Sequence, residues 1–211
     1  MTVIHLVRHG QTPWHRPNRY TGRSDIDLDE TGVAQAARLA DWAAGAELSA
    51  LICSPLRRSV RTAEPVGAAV GLPPVVDARL RELDFGIAEG RTLDELRAER
   101  PEVVARFVED PAGSPFPGGE APAEAVSRGL AALTELAERY PDGNVLAVAH
   151  STLIRLLVCA VLGVPLGDYR RRLPGLAPVG RTDLRFERAG TARSTVALLA
   201  YNVPVGSGYG A

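Results

Sequence analysis

The chain has 211 residues and a formal net charge of -1, from 24 basic and 25 acidic side chains. That length suits one domain with a substantial core, expected over residues 1–205, and the near-neutral balance argues against nucleic acid or an anionic membrane as partner while allowing a local basic pocket. All 24 basic residues are arginine, so a phosphate site here must be built from guanidinium forks rather than lysine point charges.

The apolar run Val3-Ile4-His5-Leu6-Val7 reads as a buried strand, and Arg8-His9-Gly10 follows it directly. Open α/β sheets place their ligand crevices at the C-terminal ends of strands, so a cation and a nucleophile are expected to leave the sheet together. His5, inside the run, reads as a sheet-packing residue. Thr31 to Ala44 carries Val33, Ala37, Leu39, Ala40 and Ala43 at helical spacing, with Asp29 and Glu30 suiting the positive end of a helix dipole. Leu51-Ile52-Cys53 predicts a second strand. Ser54 is placed as the N-cap and Pro55 as the first residue of a helix running to Val70 and stopped by Gly71.

From Asp77 to Pro122 the signals are weaker: a loop at Leu80-Arg81-Glu82-Leu83-Asp84-Phe85-Gly86, a helix near Leu93–Ala98, another after Pro101, and a Pro/Gly-rich loop at Asp110–Glu120. This stretch reads as an excursion over the mouth of the site. A long helix is predicted from Ala123 to Arg139, with Ala125, Leu130, Leu133 and Leu136 on its apolar face, before the strand Val145–Ala149 and a helix from Thr152 to Leu162. Arg170-Arg171-Arg172 reads as a solvated charge run. Asp183–Glu187 and Thr195–Leu199 predict a hairpin or adjacent strands around Ala189-Gly190, and the Gly-rich stretch 206–211 a disordered tail.

Strands alternating with helical crossovers imply a layered α/β fold with parallel strands. Cys53 and Cys159 lie in apolar contexts far apart, which fits buried thiols in a reducing compartment better than a disulfide framework. The start lacks a basic flank with a long apolar stretch and no later run reaches the length of a membrane span, so a cytoplasmic protein is expected. The sequence leaves the oligomeric state open, a homodimer included.

In such a sheet the strand ends before Arg8-His9, before Ser54 and Arg58, and before His150 share one edge, gathering two histidines and two arginines. A neutral imidazole can attack phosphorus while guanidinium forks and a second, protonated histidine hold the phosphoryl oxygens. The leaving oxygen needs a proton donor. Glu82 is the candidate, as a desolvated carboxyl over the site, although spacing alone also leaves Asp84 and Glu89 open. His9 and His150 lack nearby paired carboxylates, so a metal-free route without a cofactor is expected.

The pieces Leu6-Val7-Arg8-His9-Gly10-Gln11-Thr12, Asn18-Arg19-Tyr20-Thr21-Gly22-Arg23-Ser24-Asp25 with Thr31-Gly32, Ser54-Pro55-Leu56-Arg57-Arg58 with Thr62-Ala63, Leu80–Gly86 with Glu89-Gly90, Pro117-Gly118-Gly119-Glu120 and Ala149-His150 with Ile154-Arg155 follow one another in an order that is highly specific. The chain resembles the histidine phosphatase superfamily, in the branch that holds cofactor-dependent phosphoglycerate mutases and their phosphatase relatives. The resemblance implies a phosphoglycerate mutase-like fold, a three-layer α/β/α sandwich on a mostly parallel sheet. It implies that His9 becomes phosphohistidine, that Arg8, Arg58 and His150 bind the transferring group, and that Glu82 is the acid and then the base that activates water. In the pair Arg57-Arg58 the motif points to Arg58, four residues after the serine, and Thr21 and Gly22 match positions that contact substrate.

Three positions depart from the pattern. His15 follows Trp14 where relatives commonly carry a phosphate-contacting Asn, and it either donates in that place or faces solvent. Ser151-Thr152 replaces the usual Gly-Gly after the second histidine and offers a hydroxyl, so Ser151 is a substrate-contact candidate. Arg23 stands where mutase relatives often carry an aromatic residue, and it either meets a second negative group or several hydroxyls of the substrate or is a surface arginine. With no lysine to grip a carboxylate and a short segment after the acid loop, a phosphatase acting on a small phosphomonoester is favoured over a mutase. The remaining alternatives are a phosphate-binding module without turnover and a metal-dependent hydrolase.

Overall fold

The computed structural model describes residues 1–187 and 196–205; the expected tail at 206–211 and the turn around Ala189-Gly190 lie outside the described residues. Six strands, β1 (Thr2–Arg8), β2 (Leu48–Cys53), β3 (Val75–Val76), β4 (Asn144–Ala149), β5 (Arg181–Phe186) and β6 (Val196–Val203), form one sheet in the order β3-β2-β4-β1-β5-β6. The first four in that order run parallel, β5 is antiparallel to β1, and β6, antiparallel to β5, runs the same way as the first four, the mostly parallel arrangement the sequence implies.

Alternation along the central strands sorts their side chains onto two faces. Val145, Ala147 and Ala149 of β4 join Ile4 and Leu6 in one apolar cluster with α5 (Pro122–Arg139) and α6 (Ser151–Leu162). Leu146 and Val148 join Val7, Leu51 and Cys53 in a second cluster against α1 (Glu30–Ala43) and α2 (Arg57–Val70). These are the three layers. Between α2 and α5 the chain makes α3 (Leu93–Glu99) and α4 (Pro101–Glu109), and after α6 the short α7 (Tyr169–Arg172).

Two local readings are corrected. The helix after β2 starts at Arg57, not Pro55: Leu56 rather than Ser54 is its N-cap, and the Ser54 hydroxyl accepts from the Leu56 N–H while also bonding His150. The buried stripe of α1 is Gly32, Ala36, Leu39, Ala40 and Ala43, which leaves Val33 and Ala37 outside it. The rotation follows from how close the helix start lies to the segment after β1. A Cβ on Gly32 would sit 2.1 Å from the Gln11 carbonyl oxygen, and one on Gly10 would sit 2.7 Å from that of Gly32. Only paired glycines permit that approach.

The same approach clamps the segment that follows β1. Asp29 caps α1 through the Gly32 N–H at 2.8 Å, its own N–H reaches the Gln11 carbonyl, and the Gln35 side chain accepts from the Gln11 N–H. From α2, the Thr62 hydroxyl accepts from the Gly10 N–H at 3.0 Å. His9 is thus set on a backbone held from both crossover helices.

Candidate active site

Register brings the three expected strand ends level. Arg8 pairs with Ala149 and Cys53 with Val148, and the next N–H groups, of His9 and Ser54, each donate at 3.0 Å to carbonyls of β4. His9 is buried, its Nδ1 lies 2.7 Å from the Gly10 carbonyl, and a neutral ring bonded that way carries its proton on Nδ1. Nε2 keeps its lone pair and has no partner among the described residues. Burial first, then the charges of Arg58, His150, Arg8 and His15, push its pKa well below the usual histidine range. The imidazole is held neutral, as a nucleophile requires.

His9 forms part of the wall of a cavity of about 350 Å³. Arg8, His15, Thr21, Glu82 and Ser151 line it too, so six of the ten expected site residues meet there. Arg8 donates to the Leu176 carbonyl and, from Nη2 at 2.7 Å, to His15 Nε2, while its buried Nε finds no partner among the described residues. Burial lowers its pKa to about 10, which leaves it cationic at neutral pH. His15 is half-buried, its Nδ1, which carries the proton because Nε2 accepts from Arg8, lies 3.0 Å from the Thr12 hydroxyl, and burial followed by Arg8 lowers its pKa to about 4. It belongs to the cavity wall rather than to solvent.

Arg58 and His150 are fully buried behind His9 and do not form the cavity wall. The His150 ring centroid lies 5.1 Å from that of His9. Arg58 Nε donates to His150 Nδ1 at 3.3 Å, and its terminal nitrogens donate to the carbonyls of Thr21, Gly22 and Ser24. With Nδ1 accepting, the His150 proton sits on Nε2, 2.7 Å from the Ser54 hydroxyl. Burial and then Arg58 push His150 well below the usual range, which corrects the expectation of a protonated second histidine. Arg57, in contrast, is exposed and turned to Asp25, while Arg58 is the arginine of the pair that lies beside His150.

Glu82 is buried, and its carboxyl oxygens accept three backbone N–H groups at 3.0 Å, from Leu83, Thr152 and Leu153. The last two belong to the first turn of α6, so this carboxylate caps the helix that follows His150. The competing carboxylates are engaged elsewhere. Asp84 accepts from Gly86 and pairs with Arg23, and Glu89 accepts from Gly22, Arg23, Ser24 and Phe85, clamping the loop that holds Arg58.

Gly22 and Arg23 do not face the cavity, against expectation. A Cβ on Gly22 would meet the Leu83 carbonyl at 2.1 Å, so that backbone is wedged between strand-end loops, and Arg23 is a 74% exposed side chain ion-paired with Asp84. Conversely, Arg170 is no solvated charge. It lines the cavity with Nη1 3.3 Å from the Tyr20 hydroxyl, while Arg171 and Arg172 are exposed as expected. Arg155 lines the cavity as well, and the Ser151 to Arg155 spacing of four on one helix face was the signal that could have found it. Trp14, Tyr20 and Phe85 supply the aromatic wall.

The family model described as histidine phosphatase superfamily (branch 1) matches residues 4–197. The chain belongs to that family. Among its relatives in this superfamily, "Phosphoserine phosphatase 1" of Hydrogenobacter thermophilus is 34% identical over 169 residues, 80% of each chain. The protein named "Probable phosphoglycerate mutase GpmB" of Cronobacter sakazakii is 35% identical over 183 residues, 87% of this chain and 85% of that one. Among solved histidine phosphatase folds, a mycobacterial glucosyl-3-phosphoglycerate phosphatase in complex with VO3 superposes with a TM-score of 0.85 at 29% identity, covering 95% of this chain and 99% of the other. On this histidine phosphatase scaffold Arg8, His9 and His150 sit at strand ends, Arg58 in the first turn of α2 and Glu82 in the loop before α3.

Proposed function

We propose that the protein is a metal-independent phosphatase that hydrolyses a small phosphomonoester through a phosphohistidine on His9. The observation that carries this reading is the His9 ring itself. It is neutral, fixed through Nδ1 on the Gly10 carbonyl, and presents Nε2 in a cavity whose wall holds the cations Arg8, Arg155 and Arg170 and the carboxyl of Glu82. Nε2 attacks phosphorus, and the bond to the leaving oxygen breaks as Glu82 delivers a proton to it. Water activated by the resulting carboxylate then attacks the phosphohistidine and releases inorganic phosphate. Arg8 holds the phosphoryl oxygens from the cavity side, and Arg58 and His150, directly behind His9, set the field in which charge develops. The names of the phosphatase relatives support hydrolysis.

Mutase-type phosphotransfer is the second reading, favoured by the mutase-named relative. The absence of lysine speaks for hydrolysis, since a mutase must grip its substrate while shielding the phosphohistidine from water. The test is hydrolysis of p-nitrophenyl phosphate in EDTA, with 3-phosphoglycerate followed in parallel for inorganic phosphate or isomer. Phosphate release that survives EDTA and drops at least 10³-fold in His9→Ala is expected. Isomer without phosphate would select the mutase, loss in EDTA with rescue by added cation would select a metallohydrolase, and turnover of neither substrate would select a binding module.

A further inference from the structure

Arg155 and Arg170 do no work in the steps above, yet both line the cavity that holds His9. Arg155 is held in place rather than free. Its Nε donates to the Leu173 carbonyl at 2.7 Å, and its guanidinium lies over the Tyr169 ring at 4.6 Å. That stacking and single backbone bond orient the group while leaving the fork of terminal nitrogens uncommitted. Arg170 is fixed in the same fashion, over the Phe107 ring at 5.3 Å with Nη1 on the Tyr20 hydroxyl.

Neither guanidinium has a carboxylate within ion-pair distance among the described residues. The contrast with Arg19, which also lines the cavity, is direct: Glu95 accepts from its Nη1 at 2.8 Å, and the Gly90 carbonyl takes the same nitrogen. Among the described residues the one acid on the cavity wall is Glu82, whose oxygens accept three backbone N–H groups. Arg155 is buried and lies close enough to Arg170 that their charges oppose each other, so two like charges are brought together with no anion of the protein between them. A desolvated cation pair costs stability unless a ligand anion compensates it.

We propose that Arg155 and Arg170 form a second anion subsite, which takes an acidic group that the substrate carries beyond its phosphoryl group. The inference rests on the phosphatase reading and narrows its substrate class to phosphomonoesters with a second negative group. Two stacked forks suit a carboxylate or a second phosphate, which share the same oxygen-anion chemistry. Arg23, for which such a contact was one of the readings left open by the sequence, is exposed and paired with Asp84 outside the cavity lining, and α6 and α7 supply the two arginines instead.

The test compares kcat/KM for 3-phosphoglycerate, glycerol 3-phosphate and propane-1,3-diol bisphosphate, which place a carboxylate, a neutral hydroxymethyl and a phosphate beyond the ester. The intact protein should favour at least one charged substrate over glycerol 3-phosphate by tenfold or more, and which one identifies the group. In Arg170→Met that ratio should fall at least fivefold, through KM. Arg155→Lys, which keeps the charge in case Arg155→Met fails to fold, should fall between. No preference in the intact protein, or equal loss on all three substrates in the variants, overturns the subsite. If no phosphomonoester is turned over, the phosphatase reading fails. The subsite is then read by calorimetric titration of the same proteins, where equal Kd for 3-phosphoglycerate and glycerol 3-phosphate overturns it.

Discussion

Histidine at position 9 suits the proposed reaction because the protein fixes which nitrogen carries the proton and which keeps its lone pair. The Gly10 carbonyl takes Nδ1, and burial among Arg58, His150 and Arg8 keeps the ring neutral well below its usual range. An unfolded chain takes up a proton on this ring near pH 6.5, whereas the folded chain refuses it until a lower pH. The folded state is therefore disfavoured as the pH falls below about 6.5, and the proposed nucleophile stays neutral into the same interval. His15, lowered to about 4, and His150 act in the same direction. The acidic limb of kcat/KM, corrected for ionisation of the substrate, should show no inflection near pH 6.5, while Tm declines from pH 7 to pH 5. An inflection near pH 6.5 in kcat/KM of the intact protein would contradict the neutral assignment.

At the scale of elements, the site depends on contacts that fix where strand ends and helix starts lie. The central strands were legible because apolar runs bounded by arginine, serine or histidine leave little choice. Where Ser54 was read as an N-cap, its hydroxyl instead serves His150, a tertiary demand that overrides local helix chemistry. The strand Val75–Val76 was missed because two residues carry no period, and Arg170 was misread because the four residues of α7 cannot reveal which side faces inward. The polar logic of Glu82 and Glu89, each gathering backbone N–H groups, is likewise invisible without the fold. Gly32 tests the element scale. Gly32→Ala places a Cβ against the Gln11 carbonyl, and the backbone must yield. The expected result is a loss of about 1–3 kcal/mol in urea denaturation together with at least a tenfold drop in kcat/KM. Unchanged activity with reduced stability would show that the Gly10–Gln11 segment does not position His9.

Across the whole molecule, a net charge of -1 coexists with a cavity rich in guanidinium groups, so the attraction for a small anion is local rather than global. The sheet makes this possible: β1, β2 and β4 end at one level, and α6 and α7 bring further arginines to the same space. No helix among the described residues is long and apolar enough to cross a membrane. The central claim is that this architecture exists to put a phosphoryl group on one nitrogen. Rapid quenching during turnover of a ³²P-labelled phosphomonoester, followed by peptide mapping, tests it most directly. The account predicts label on His9, stable in base, lost in acid and absent from His9→Ala. Turnover without any labelled protein, or label on another residue that persists in His9→Ala, would contradict it.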